Sequence, residues 1–172
     1  MPEFTPVLKQ DDIQSSVAAL GRTLSADYQG RSPILIGVLK GAFVFLADLI
    51  RHLTVPVQID FIRTASYGDG TASSGSIRLT KDVEIDLTGK DVLVVEDIVD
   101  SGLTISYLIN LFNSRKANSV RVCALIDKRE RRETAVSVDY ACHVVESGFL
   151  VGYGLDYAEE YRQLPDIYHL SP

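Results

Sequence analysis

Residues Asp91 to Thr104 read DVLVVEDIVDSGLT: an apolar run, two adjacent acids, two apolar residues, then Asp-Ser-Gly-x-Thr. Asp100-Ser101-Gly102-Leu103-Thr104 stands where a buried strand meets the start of a helix. The first turn of a helix carries backbone N–H groups without intrahelical partners and the positive end of the dipole. Gly102 lets the backbone come close to a ligand, and Ser101 and Thr104 add hydroxyl donors. The segment is therefore suited to cradle a phosphate. Glu96 and Asp97 cannot bind that phosphate, because like charges repel. Carboxylates beside a phosphate suit sugar hydroxyls or Mg2+, both of which want oxygen acceptors. The segment calls for a ligand with a phosphate, a ribose-like diol and a metal. A plainer reading stands beside this one: Asp-Ser-Gly after a strand can be only a helix N-cap, and acid pairs end many strands.

The elements around the segment must hold it in place. Ile13, Val17, Leu20 and Leu24 recur at helical spacing, which predicts an amphipathic helix over about 11–28, with Asp11 or Asp12 able to cap it. PILIGVL (33–39) is a short continuous apolar run, the mark of a strand buried on both faces. GAFVFLADLIRHL (41–53) has helical length, and VPVQIDFIRTAS alternates as a strand. SYGDGTASSGS (66–76) is a long polar loop, of a kind that is usually functional or disordered. SIRLTKDVEI predicts one or two strands. DVLVV is a buried strand, LTISYLINLFNSR (103–115) a helix, SVRVCALI (119–126) a strand, DKRERRE a charged loop and YACHVV a strand. After FLVGYG the tail is expected to be polar and irregular. Alternating strands and helices predict an α/β fold with a mostly parallel twisted sheet flanked by helices. In such sheets ligands bind beyond the carboxyl ends of the strands.

VLVVEDIVDSGLT resembles the phosphoribosyl-pyrophosphate (PRPP) motif of type I phosphoribosyltransferases, in the Glu-Asp form found in members that use hypoxanthine and guanine. Three more segments agree in order and spacing: GVLKGAFVFLADL, TASYGDG and FLVGYGLDYAEEYRQLP. The resemblance runs from about Leu35 to Pro165. It implies a single domain over 1–172, a lid at about 66–76, and a small hood built from the N-terminal residues and about 145–172.

The resemblance also implies roles, residue by residue. Asp100 is the catalytic acid/base, acting on the proton at purine N7. Ser101, Gly102, Leu103 and Thr104 hold the 5′-phosphate, and Glu96 and Asp97 hold the ribose hydroxyls directly or through Mg2+. Lys40, Gly41, Ser66, Tyr67 and Arg162 bind pyrophosphate, and the Leu39–Lys40 peptide is expected to be cis. Lys128 donates to the exocyclic O6 of a 6-oxopurine, Phe149 stacks on the ring, and Leu150 meets the base through its backbone. Asp156 serves the metal or the base edge, so the implied metal set is Glu96, Asp97 and Asp156. Each position has an ordinary alternative. Lys40 can snorkel, Lys128 can belong to a solvated cluster with Arg129, Arg131 and Arg132, Phe149 can be core, Asp156 a turn residue and Arg162 a surface charge. The family usually has Pro-Asp before the aromatic, whereas this chain has Glu146-Ser147-Gly148, which puts the shape of the base loop and the preference at purine C2 in question.

The implied reaction moves 5-phosphoribose from PRPP to N9 of hypoxanthine or guanine, giving IMP or GMP and pyrophosphate. Composition sets outer limits. The 172 residues are 46% hydrophobic and 23% charged, enough for a real core. Seventeen basic and 23 acidic residues give a formal charge of −6, which argues against a large nucleic-acid footprint. That weighs against a PRPP-sensing regulator that binds DNA. A receiver or phosphatase domain also uses acids at strand ends, but leaves Lys40-Gly41 and VGYGLDY without a purpose. No secretory signal is read at the N-terminus and no apolar run is long enough to span a membrane. Cys123 and Cys142 are expected as reduced core thiols, and His52, His143 and His169 receive no chemistry. The expectation is a cytoplasmic enzyme, a homodimer or homotetramer.

Overall fold

The structure, a computed structural model, describes residues 1–66 and 76–171. Its center is a six-stranded sheet of β2 (Ile34–Leu39), β3 (Gln58–Ser66), β4 (Ile77–Lys81), β5 (Asp91–Val99), β6 (Ser119–Lys128) and β7 (Tyr140–Val145). The strand order is β4-β3-β2-β5-β6-β7, parallel throughout except for the antiparallel edge strand β4. The expected α/β fold is the observed one.

Side-chain alternation along the central strands divides the core in two. Leu35, Leu93, Val95, Cys123 and Leu125 face one side, where they meet α1 (Gln10–Asp27) and α2 (Phe43–Ile50). Ile34, Ile36, Val92, Val94, Val122 and Ala124 face the other, where Ile105, Leu108 and Phe112 of α3 (Leu103–Ser114) cover them. Strands buried on both faces read as unbroken apolar runs, which is why PILIGVL and DVLVV carry no polar residues inside.

Several boundaries differ from the pattern reading. The helix expected over 41–53 shortens to α2. Strand β5 runs four residues beyond DVLVV, because Glu96, Ile98 and Val99 continue in register with Ala124, Ile126 and Asp127. Strand β6 likewise runs on to Lys128. SIRLTKDVEI yields one strand. Neither Asp11 nor Asp12 caps α1; Asp166, in the tail, accepts from the Gln10 N–H at 2.7 Å.

The larger difference lies at the chain ends. The tail is not irregular throughout: β9 (Ile167–Ser171) lies between β1 (Glu3–Leu8) and β8 (Leu150–Val151), antiparallel to both. Ile167 and Leu170 are buried there. Cys123 and Cys142 are free thiols, and burial pushes Cys142 up to about 12. Among the described residues no helix is long and apolar enough to cross a membrane.

Candidate active site

Strands β2, β5 and β6 are neighbors, so their carboxyl ends bring Lys40, Asp100 and Lys128 to one edge of the sheet. Helix α3 begins at Gly102, whose φ of +84° is a left-handed conformation that glycine adopts without a steric cost. The cap residue therefore has no side chain to close the helix start, unlike the ordinary N-cap alternative. The Ser101 Oγ accepts from the Leu103 N–H at 3.3 Å. A cavity of about 120 Å³ lies here, lined by Glu96, Ile98, Val99, Asp100, Ser101, Gly102, Thr104 and Ile105.

The acids behave differently from one another. Glu96 is buried, and burial first, then the neighboring Asp97 charge, pushes its carboxyl well above the usual range. Its Oε1 accepts from the Asp97 N–H at 3.1 Å. Asp97 leans the other way, toward Gly41, and its Oδ1 accepts from the Ile98 N–H at 2.8 Å. A Cβ added at Gly41 would lie 1.8 Å from Asp97 Oδ2, so a side chain here would displace this carboxylate or the loop. The Leu39–Lys40 peptide is cis, as expected.

Lys128 has a side chain only 5% exposed, held between Asp100 Oδ2 at 3.4 Å and Glu130 Oε2 at 3.6 Å. The other Asp100 oxygen, Oδ1, is buried without a hydrogen-bond partner among the described residues. A buried carboxylate oxygen without a hydrogen-bond partner is an acceptor in want of a donor.

A second cluster forms where the tail crosses Lys40. The Lys40 ammonium meets Glu159 Oε2 at 2.6 Å. The Arg162 Nη1 donates to the Gly154 carbonyl at 2.7 Å, and its Nη2 lies 3.1 Å from Asp156 Oδ1 and 3.4 Å from Glu159 Oε1. A Cβ at Gly154 would lie 2.3 Å from the Gly41 carbonyl oxygen, so at this point the tail and the Lys40 loop pass backbone against backbone.

Phe149 is exposed and meets the Tyr157 ring edge-on, centroids 5.6 Å apart. Leu150 is buried in β8. At the departure Glu146-Ser147-Gly148, the Gly148 N–H donates to Glu130 Oε2 at 3.2 Å. Thus one carboxylate touches both the Gly148 backbone and Lys128. Ser66 ends β3 and is exposed; Tyr67 and most of the expected lid lie outside the described residues. Among the described residues no group of three or more His, Cys, Asp or Glu could hold a metal ion, so Glu96, Asp97 and Asp156 do not form a preassembled site. Sequence reasoning missed Asp127, Glu130, Arg132 and Glu159. Each looks like a surface charge in sequence, and only strand register and chain crossing reveal its contacts.

Residues 7–158 match the phosphoribosyl transferase domain family. The chain is 46% identical over 166 residues to the hypoxanthine-guanine phosphoribosyltransferase of Bacillus subtilis, covering 96% of this chain and 92% of that protein. It is 47% identical to a segment of the bifunctional protein TilS/HprT of Listeria innocua, covering 96% of this chain but only 26% of that relative. It superposes on a hypoxanthine phosphoribosyltransferase from Staphylococcus aureus with a TM-score of 0.94 at 40% identity, covering 98% of this chain and 91% of that one.

Proposed function

The chain belongs to the phosphoribosyl transferase domain family, and from that premise we propose that it transfers 5-phosphoribose from PRPP to N9 of a 6-oxopurine, hypoxanthine or guanine. The products are IMP or GMP and pyrophosphate. The observation that carries this reading is the meeting of Asp100 and Lys128 beside the cavity at the start of α3, with one Asp100 oxygen lacking a hydrogen-bond partner among the described residues.

In this mechanism the bond from C1′ to pyrophosphate breaks as the bond from C1′ to N9 forms. Asp100 takes the proton from N7 as the N9 lone pair attacks C1′, so the purine ring is not left with a positive charge. Lys128 donates to O6, which favors an oxo group over the amino group of adenine. Backbone N–H groups of 101–104 and the Thr104 hydroxyl hold the 5′-phosphate; Glu96 and Asp97 accept from the ribose hydroxyls. Lys40 and Arg162 hold the leaving pyrophosphate, with Arg suited to a bidentate grip. Phe149 stacks on the purine and the Leu150 backbone meets its edge. Gly41, Ser66 and Tyr67 complete the pyrophosphate side, and a lid at about 66–76 excludes water from the oxocarbenium-like sugar.

The donor set fits magnesium. Two adjacent carboxylates, one of them buried, supply hard oxygens, and Mg2+ commonly binds one or two carboxylates together with substrate phosphates instead of an all-protein cage. Glu96 and Asp97, with Asp156 from the tail, are the residues that would hold it, and its chemistry would be to neutralize the leaving pyrophosphate. A hood formed by the chain ends, assembly as a dimer or tetramer and a cytoplasmic location belong to the same proposal.

The test is a panel of hypoxanthine, guanine, xanthine and adenine with PRPP and Mg2+, read as pyrophosphate release. The expected result is release with hypoxanthine or guanine and little with adenine. Equal use of adenine would remove the basis for the Lys128 assignment, and no release with any purine would overturn the transferase reading.

A further inference from the structure

The loop after β6 holds a side chain that binds three backbone carbonyls at the candidate active site. Arg132 Nε donates to the Asp100 carbonyl at 2.9 Å. Its Nη2 lies within hydrogen-bond distance of the Val99 carbonyl at 3.3 Å, the Lys128 carbonyl at 3.2 Å and the Asp127 carboxylate. Val99 and Asp127 are paired across β5 and β6, so the guanidinium bridges the ends of two adjacent strands. Asp127 is buried, and its Oδ2 also accepts from the Arg129 guanidinium, at 3.3 Å from Nε and 3.2 Å from Nη2.

The same loop is bound to the phosphate loop through main chain. The Glu133 and Thr134 N–H groups both donate to the Ser101 carbonyl, at 2.9 and 3.2 Å. A Cβ at Gly102 would lie 2.9 Å from the Thr134 carbonyl oxygen and 3.2 Å from Arg132 Cδ. Carbonyls at the end of a parallel ladder lose their strand partners and must find others when buried. A planar guanidinium with several fixed donors can serve more than one of them; a lysine ammonium is a point charge on a flexible stem and cannot reproduce that fork.

We infer that Arg132, anchored by Asp127, is a positioning residue for the transfer reaction: it ties the backbones of Asp100 and Lys128 into one unit, so that proton acceptor and O6 donor keep a fixed separation. The inference rests on the transferase reading. It requires no contact between Arg132 and substrate. Its signature is a loss in kcat with little change in KM, because the Lys128 ammonium keeps its contacts to Asp100 and Glu130 and still meets the base, while the reacting carboxylate drifts relative to C1′. A displacement of about 1 Å can cost on the order of 10²-fold in rate.

The experiment compares the unaltered chain with Arg132→Met, Arg132→Lys and Asp127→Asn, measuring kcat, the KM for PRPP and for hypoxanthine, and Tm. Arg132→Met is expected to lower kcat by about 10- to 100-fold with each KM within about threefold. Arg132→Lys should stay impaired despite its charge, and Asp127→Asn should show a smaller loss of the same kind. If Arg132→Met does not fold, the Lys and Asn variants decide. Full activity in Arg132→Lys, or a loss confined to one KM in the folded variants, would overturn the inference. No turnover by the unaltered chain would instead strike the transferase reading on which it rests.

Discussion

The Lys128 ammonium and the Asp100 carboxylate stand 3.4 Å apart, one at the last residue of β6 and the other one residue past the end of β5. An ammonium this buried needs counter-charge, and Asp100 shares that task with Glu130. The pairing uses only one Asp100 oxygen. The other is buried and has no hydrogen-bond partner among the described residues, so its capacity to accept a proton is unspent.

Asp100→Asn keeps the size of the side chain and removes its capacity to take a proton. Steady-state kinetics with hypoxanthine and PRPP should show kcat lower by about 10²- to 10⁴-fold, the usual contribution of a general base. A kcat within about threefold of the unaltered enzyme would rule out the acid/base role.

On the proposed reading, Lys128→Ala leaves a ligand O6 without its donor. It also leaves Asp100 and Glu130 without their shared cation. Loss of one partner of a buried hydrogen bond costs about 1–3 kcal/mol, equivalent to roughly 5- to 150-fold. The kcat/KM for hypoxanthine should fall by that much, while the small rate with adenine should not fall in parallel. A parallel fall for both bases would show that Lys128 serves the fold or Asp100, not the choice of purine.

Much of this arrangement was legible in the chain, for stated reasons. Strands buried on both faces leave unbroken apolar runs, so PILIGVL and DVLVV marked the sheet center and its carboxyl edge. Asp100 and Lys128 could be placed because each follows such a run. Arg132 could not be. It stands in DKRERRE, where four cations look alike, and its bonds depend on the register that sets Val99 opposite Asp127. Strands β1 and β9 were missed because each is short and carries polar residues, and their pairing joins Glu3 to Ser171, nearly the full length of the chain. Glu159 was passed over for a similar reason: nothing local announces that a tail residue returns to Lys40.

Gly41→Ala tests how closely the Lys40 loop sits under Asp97. A Cβ there would meet Asp97 Oδ2 at 1.8 Å, so carboxylate or loop must shift. The protein should still fold, since the collision lies at the edge of the sheet. The kcat/KM for PRPP should fall by about 10²-fold, as for other displacements of this size. Retained activity would mean that Asp97 can move aside without harm.

Asp60 offers a test of stability separate from catalysis. It is buried on β3; its Oδ2 accepts from the Glu84 and Ile85 N–H groups at 2.7 and 2.9 Å, and its Oδ1 from the Phe61 N–H at 2.7 Å. Burial by itself would raise this carboxyl, but the three N–H bonds and the Lys81 charge outweigh it and hold it below its ordinary 3.8. A lowered carboxyl stabilizes the fold while it is ionized. That stability is present in full above about pH 4 and is lost as pH falls through the lower folded value. Asp60→Asn presents N–H donors to N–H donors and should cost about 1–3 kcal/mol at pH 7. Melting curves from pH 7 to 3 should show the gap from the unaltered chain closing at the acid end. A constant gap would show that the charge of Asp60 contributes nothing.

Glu159 stands on the cations assigned to pyrophosphate. Its two oxygens contact Lys40 and Arg162, and the Lys40 hydrogen bond first, with the Lys40 and Arg162 charges, holds its carboxyl below the ordinary 4.5. Glu159 is therefore charged at neutral pH and competes with any phosphate that would take the same two groups. The side chain is 62% exposed, so water and salt screen the contact and the competition is mild. Glu159→Gln removes the charge and keeps the shape. The KM for PRPP and the inhibition constant of pyrophosphate should each fall by about two- to fivefold, with the difference shrinking as salt is raised. An unchanged or higher KM would show that the carboxylate supports the bound state, holding Lys40 in place for the ligand.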